Sequence, residues 1–149
     1  MNGKQHKIAN IYAGGVMVTT TQLVFQNIDL TIAAVIGSTV GTVVTPDLDL
    51  VVPSNFFSKL PIINFFWMCM WWPYKKLVRH RSWVSHSPLV STILRLLYMW
   101  FYFSLFLFAF GGDFNYVYSG IWLNIEFYMM LFFCWVVQDL VHLWLDFVL

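Results

Sequence analysis

Ser87-Pro88-Leu89-Val90-Ser91-Thr92-Ile93-Leu94-Arg95-Leu96-Leu97-Tyr98-Met99-Trp100-Phe101-Tyr102-Phe103-Ser104-Leu105-Phe106-Leu107-Phe108-Ala109-Phe110 contains one charge, Arg95, in an otherwise apolar and aromatic run. A helix of roughly 20 such residues matches a hydrocarbon core about 30 Å thick. Ser87 is placed to cap it, and Pro88 suits its first turn. The stretch therefore predicts a membrane-spanning helix. Arg95, two turns in, either snorkels or faces inward as a counter-ion to carboxylates.

The rest of the chain agrees. Of 149 residues, 60% are hydrophobic, 20% aromatic and only 10% charged, a balance that a small water-soluble domain cannot hide from water. The expected architecture is an all-α integral membrane protein, a single domain over residues 1–149. Four spans are expected at about 8–25, 28–44, 87–110 and 118–149. Gly37 and Gly41 form a Gly-x-x-x-Gly pair in the second span, and Pro46 ends it. The connection 45–86 contains Phe65-Phe66-Trp67-Met68-Cys69-Met70-Trp71-Trp72-Pro73-Tyr74-Lys75-Lys76. Its aromatics and lysines predict an interfacial amphipathic helix, with a re-entrant or core helix as the alternative. The basic start followed by an apolar run is read as a retained first helix rather than a leader. Cys69 and Cys134 are read as buried free thiols. A net charge of +1 gives no reason to expect a nucleic-acid partner.

Lys and Arg orient the chain. Lys4 and Lys7 precede the first span, and Lys59, Lys75, Lys76, Arg79 and Arg81 occupy the central connection. The loop 111–117 has Asp113 and no Lys or Arg. The positive-inside rule then puts both termini and the central connection on the cytoplasmic side.

Three polar islands interrupt this background: Thr45-Pro46-Asp47-Leu48-Asp49, His80-Arg81-Ser82-Trp83-Val84-Ser85-His86-Ser87, and Asp139-Leu140-Val141-His142-Leu143-Trp144-Leu145-Asp146. They hold three of the four histidines and four of the seven acidic residues. Ionisable residues near bilayer depth are costly, so this grouping points to function. In the topology above, all three islands and His6 fall on the cytoplasmic side. Asp139, His142 and Asp146 are spaced i, i+3, i+7, which places them within about a 60° arc of one helix face. The plain alternative is polar helix-end residues that snorkel. Asp47 and Asp49 on a turn suit a divalent cation, although Asp after Pro is also ordinary turn chemistry. Arg79 and Arg81 suit a phosphate, or simply a basic patch facing anionic lipid. The donor set is nitrogen and oxygen without thiolate. That suits Zn, with Mn, Fe or Mg as alternatives, and the number of donors allows one or two ions.

The run Trp71–Leu89, with its His80-Arg81-Ser82-Trp83-Val84-Ser85-His86 island, resembles the signature of a family of uncharacterised metal-binding membrane proteins frequent in cyanobacteria. Pro46-Asp47-Leu48-Asp49, His6 in the opening segment and the final His142-x-x-x-Asp146 are similar to that family's other motifs. A wider resemblance is to the YdjM-like inner-membrane proteins, predicted membrane-bound metal-dependent hydrolases. The resemblance implies metal ligation by His6, Asp47, Asp49, His80, His86, His142 and Asp146. Asp139 rests on the helical-face argument alone. The function expected is hydrolysis of a phosphoester, with a phospholipid headgroup as one such substrate. The ion activates water, Asp49 or Asp139 takes the proton, and Arg79 or Arg81 holds the phosphate. The alternative is a non-enzymatic subunit or scaffold, in a homo-oligomer or larger membrane complex, whose bundle the metal stabilises.

Overall fold

The computed structural model describes residues 3–45, 60–78, 82–113, 115, 119 and 124–148. Among them all regular structure is helical: α1 (Gly3–Phe25), α2 (Ile28–Val43), α3 (Pro61–Leu77), the single turn α4 (Trp83–His86), α5 (Pro88–Ala109) and α6 (Ile125–Val148). Three stretches are long and apolar enough to cross a membrane: His6–Phe25, Pro88–Ala109 and Ile125–Val148. α2 is apolar but has only 16 residues, a length of about 24 Å.

The centre is a three-helix seam of α1, α2 and α6. Close approach is possible because α2 presents small residues there, with Ala33, Ala34, Gly37, Ser38 and Gly41 all buried. A methyl group on Gly37 would collide with the Leu131 carbonyl of α6, and one on Gly41 would come within 2.7 Å of the Gln138 side chain. The Gly-x-x-x-Gly pair thus brings two helix backbones together. α1 and α2 form a hairpin reversed by two residues. Gln26 adopts a left-handed φ of 49°, and Asn27 Oδ1 accepts the amides of Asp29 (2.9 Å) and Leu30 (3.3 Å) as the α2 N-cap.

The other side is aromatic. Trp71 and Tyr74 of α3 are buried against Val44, Val78 and Trp135. Tyr98 of α5 stacks on Trp71 with ring centroids 5.2 Å apart, and its hydroxyl donates to the Met70 carbonyl. The opposite face of α3 exposes Ile62, Phe65, Phe66 and Leu77, so the helix is two-faced, with one face packed on the core. Lys76 lies 3.9 Å from the centre of the Trp72 ring.

Four expectations need adjusting. α1 starts at Gly3, so His6 stands inside the helix rather than ahead of it; Gln and Lys are good helix formers and carry the helix into the polar opening. α6 starts at Ile125, seven residues later than expected. Ser87 holds the N-cap position of α5 without a side-chain cap bond, although Pro88 does occupy the first turn. Cys134 is buried but Cys69 is exposed, because it points away from the Trp71–Tyr74 face.

Candidate metal centre

α1 and α6 run antiparallel. Thr21, late in α1, lies 3.8 Å from the Met130 sulfur, early in α6. The other end brings His6 to His142 and Asp146. His142 and Asp146 are one helical turn apart, so they share a face, and His6 meets that face from α1. His6 Nε2 stands 3.2 Å from Asp146 Oδ1, and His142 Nε2 stands 3.4 Å from Asp146 Oδ2. The two imidazoles lie 4.6 Å apart, tilted by 38°. Both histidines are buried, at 8% and 3% exposure, whereas the Asp146 side chain is 37% exposed. One ligand atom from each residue can be chosen so that all three lie within 4.8 Å of one another.

These distances suit a shared cation. Around a tetrahedral ion with bonds of about 2.0–2.1 Å, neighbouring ligand atoms stand about 3.3 Å apart. The two histidine–carboxylate separations, made to different oxygens of Asp146, are close to that edge. The donors are two imidazole nitrogens and a carboxylate oxygen, a common set for zinc and for other first-row ions.

Asp139 behaves differently although it shares the helical arc. It is fully buried, and its Oδ2 takes a hydrogen bond from Arg95 Nη2 and one from the Thr92 hydroxyl. Arg95 is also fully buried. Its Nη1 donates to the carbonyl of Val44, the C-cap of α2, and its Nε donates to the Ser91 carbonyl at 3.2 Å. Trp135 Nε1 donates to the same Val44 carbonyl at 3.3 Å. Of the two readings of Arg95, the inward counter-ion is the one observed. The 60° arc of Asp139, His142 and Asp146 is thus divided between α5, which takes Asp139, and α1, which meets the other two.

One turn inside the cluster lie two residues that the sequence reading did not single out. Asn10 is four residues after His6, and Gln138 is four before His142, so each shares its ligand's helix face. Both are buried, and Asn10 Oδ1 and both polar atoms of the Gln138 amide have no hydrogen-bond partner among the described residues. The i±4 spacing from each histidine was the signal available for finding them.

Of the expected ligands, His6, His142 and Asp146 come together. Asp47, Asp49, Arg79, His80 and Arg81 lie outside the described residues. The backbone of His86 ends α4, immediately before α5, and its side chain is outside what is described.

The chain belongs to the family described as uncharacterized metal-binding protein (DUF2227), whose profile matches residues 1–148. The metal-binding character expected from the histidines and carboxylates is therefore a property of the family, and among the described residues His6, His142 and Asp146 form a group that could hold an ion. Neither a curated protein nor a solved structure matches the chain.

Proposed function

We propose that the protein is a membrane-embedded, metal-dependent hydrolase acting on a phosphoester, and that a phospholipid headgroup is its substrate class. The observation that carries this reading is the uneven burial of the three-residue cluster. Two imidazoles are buried, and the carboxylate between them is exposed on one side. Two imidazoles and a carboxylate that reaches the surface, the group formed among the described residues, are a donor set that catalytic zinc sites use. Held there, a zinc ion (or Mn, Fe or Mg) would supply Lewis-acid activation of water and of a phosphoryl oxygen.

The chain's own residues would do the rest. Asp47, Asp49, His80 and His86 would complete one or two ion sites. Arg79 or Arg81 would hold the phosphate by its planar fork. Asp49, where it does not ligate an ion, would take the proton from the attacking water. Asp139 suits that role poorly, because its accepting oxygen is already engaged by Arg95 and Thr92.

The lipid setting is supported by the faces left uncovered. α5 exposes Leu97, Phe101, Leu105, Phe106 and Phe108, and α1 exposes Ile8, Ile11, Tyr12 and Val16. A water-facing surface would not carry them so densely. In this reading α2 is the fourth span, short because it lies at the middle of the bundle, and α3 lies along the interface with its lysines toward headgroups. Both termini and the metal centre face the cytoplasm. The distant relation to YdjM-like predicted hydrolases is part of the same proposal.

The alternative is a metal-stabilised scaffold, alone or in a larger membrane complex. One observation favours it: His6 comes from α1 and the other two ligands from α6, the two ends of the chain, so an ion there would staple the bundle shut.

The test starts with elemental analysis of the purified protein in lipid nanodiscs. Turnover is then assayed on phospholipid vesicles and a chromogenic phosphodiester. Hydrolysis that disappears in His142→Ala and in chelator supports the enzyme. Bound metal without turnover, together with a melting temperature that falls on chelation, supports the scaffold. Preparations without metal, and unable to take it up, overturn both.

A further inference from the structure

We propose that Asp139, locked by Arg95 and Thr92, is a positioning residue for the metal ligand His142, and that Arg95 ties the same frame to the exit of α2. This inference rests on the metal centre at His6, His142 and Asp146.

The argument begins with the two oxygens of Asp139. Oδ2 is held from α5 by the guanidinium and by the Thr92 hydroxyl. Oδ1 is buried and has no hydrogen-bond partner among the described residues. A bare carboxylate oxygen in a lipid-embedded interior is costly unless a donor reaches it. His142 lies three residues on along the same helix and on the same face. Side chains on a helix lean toward its N-terminus, so the imidazole of His142 tilts over the turn that carries Asp139. His142 Nε2 is the nitrogen turned to Asp146. If Nε2 gives its lone pair to a cation, Nδ1 must carry the ring proton. Asp139 Oδ1, which no described donor reaches, is the acceptor that this proton would take once an ion is held. Ligating histidines usually hold their second nitrogen this way, and losing the acceptor weakens metal binding about 10–100-fold.

Arg95 extends the frame in the other direction. Its Nη1 bonds the Val44 carbonyl at the end of α2, and the chain continues from there to Asp47 and Asp49, which carry the proposed remaining carboxylates. A single buried ion pair therefore fixes both the helix that bears His142 and the point from which the Asp-x-Asp motif departs. A purely structural ion pair would leave metal affinity unchanged once folding is preserved.

The experiment is a cobalt(II) titration, read by d–d absorption, of the full chain in nanodiscs. It compares wild type, Asp139→Asn and the double variant Arg95→Leu/Asp139→Leu. The double variant removes both charges together, a change that buried ion pairs often tolerate. The expected order of affinity is wild type, then Asp139→Asn about tenfold weaker, then the double variant about a hundredfold weaker, with band positions shifted in both variants. Wild-type affinity and spectrum in a folded Asp139→Asn or double variant would overturn the positioning role. Asp139→Asn preserves shape and decides alone if the double variant fails to fold. A wild-type chain that binds neither cobalt nor zinc would instead overturn the metal centre, and the positioning role with it.

Discussion

Two charged groups stand about one helical turn apart on α6, and they are built on opposite plans. Arg95 and Asp139 are both fully buried, and each group offers the other what it lacks. The guanidinium also bonds the Val44 and Ser91 carbonyls. His6, His142 and Asp146 instead bring together three groups of a kind that can hold a cation, with the Asp146 side chain partly exposed. The first pairs opposite charges within the chain, with Asp139 Oδ1 still lacking a partner among the described residues. The second is the group that, in the proposed reading, would hold an ion. The contrast separates residues that hold the bundle from residues that use it, although Asp139, His142 and Asp146 look alike on a helical wheel.

The sharpest way to break this contrast is to open the closed pair. Arg95→Leu leaves the Asp139 carboxylate buried without its counter-charge. Breaking such a pair costs about 3–5 kcal/mol, so a collapse of chemical-denaturation stability is expected, and Asp139→Leu added to it should restore most of the loss. If the single variant is as stable as wild type, the pair is not closed. The next largest effect belongs to the open group. His6→Ala or His142→Ala should lower zinc affinity by about a hundredfold or more, measured by competition with a chelating dye. That loss corresponds to about 2.7 kcal/mol. The metal-free protein should keep its fold, because the α1–α2–α6 seam is packed away from this end of the bundle. Equal zinc affinity in both variants would move the site elsewhere.

How much of this was legible in the sequence follows from the same residues. Helical periodicity and apolar length disclosed the four apolar helices and the aromatic one, because their signals are local. The Gly37–Gly41 contact was also legible, since small residues four apart announce a close approach. The sorting of the α6 polar face was not. Periodicity says which residues share an arc, but the neighbour across the arc decides their chemistry, and that neighbour is Arg95 for Asp139 and His6 for Asp146. His6 entered the candidate set by resemblance alone, since a single histidine near a terminus carries no pattern of its own. Asn10 and Gln138 were missed because neutral amides leave no charge signal, and only their spacing from the two histidines marks them.

A smaller effect sharpens the comparison within the seam. Gly41→Ala would push its methyl group to within 2.7 Å of Gln138, whereas Gly15→Ala meets nothing within 4 Å. Forcing a methyl into a packed contact costs about 1–3 kcal/mol. The first variant should therefore lower the melting temperature by several degrees, and the second should leave it unchanged or slightly higher. Equal effects would mean that the α2–α6 seam is not as close as described. Gln138 sits directly before Asp139, so Gly41→Ala should also loosen the metal centre.

The smallest expected change is the most telling for the open group. Asp146→Asn removes the charge that both imidazoles face, yet the side chain is partly exposed. If Asp146 is a ligand waiting for a cation, the metal-free protein should lose less than about 0.5 kcal/mol, the range of surface substitutions away from special contacts. Zinc affinity should still fall at least tenfold, because a carboxamide is a far weaker donor to a divalent ion than a carboxylate. Thermal melts in chelator and with saturating zinc separate the two effects: the variant and wild type should coincide in chelator and diverge in zinc. Should the variant melt well below wild type in chelator, the carboxylate is already bonded to charged imidazoles. The cluster would then be a second closed group like Arg95–Asp139, with no place for an ion.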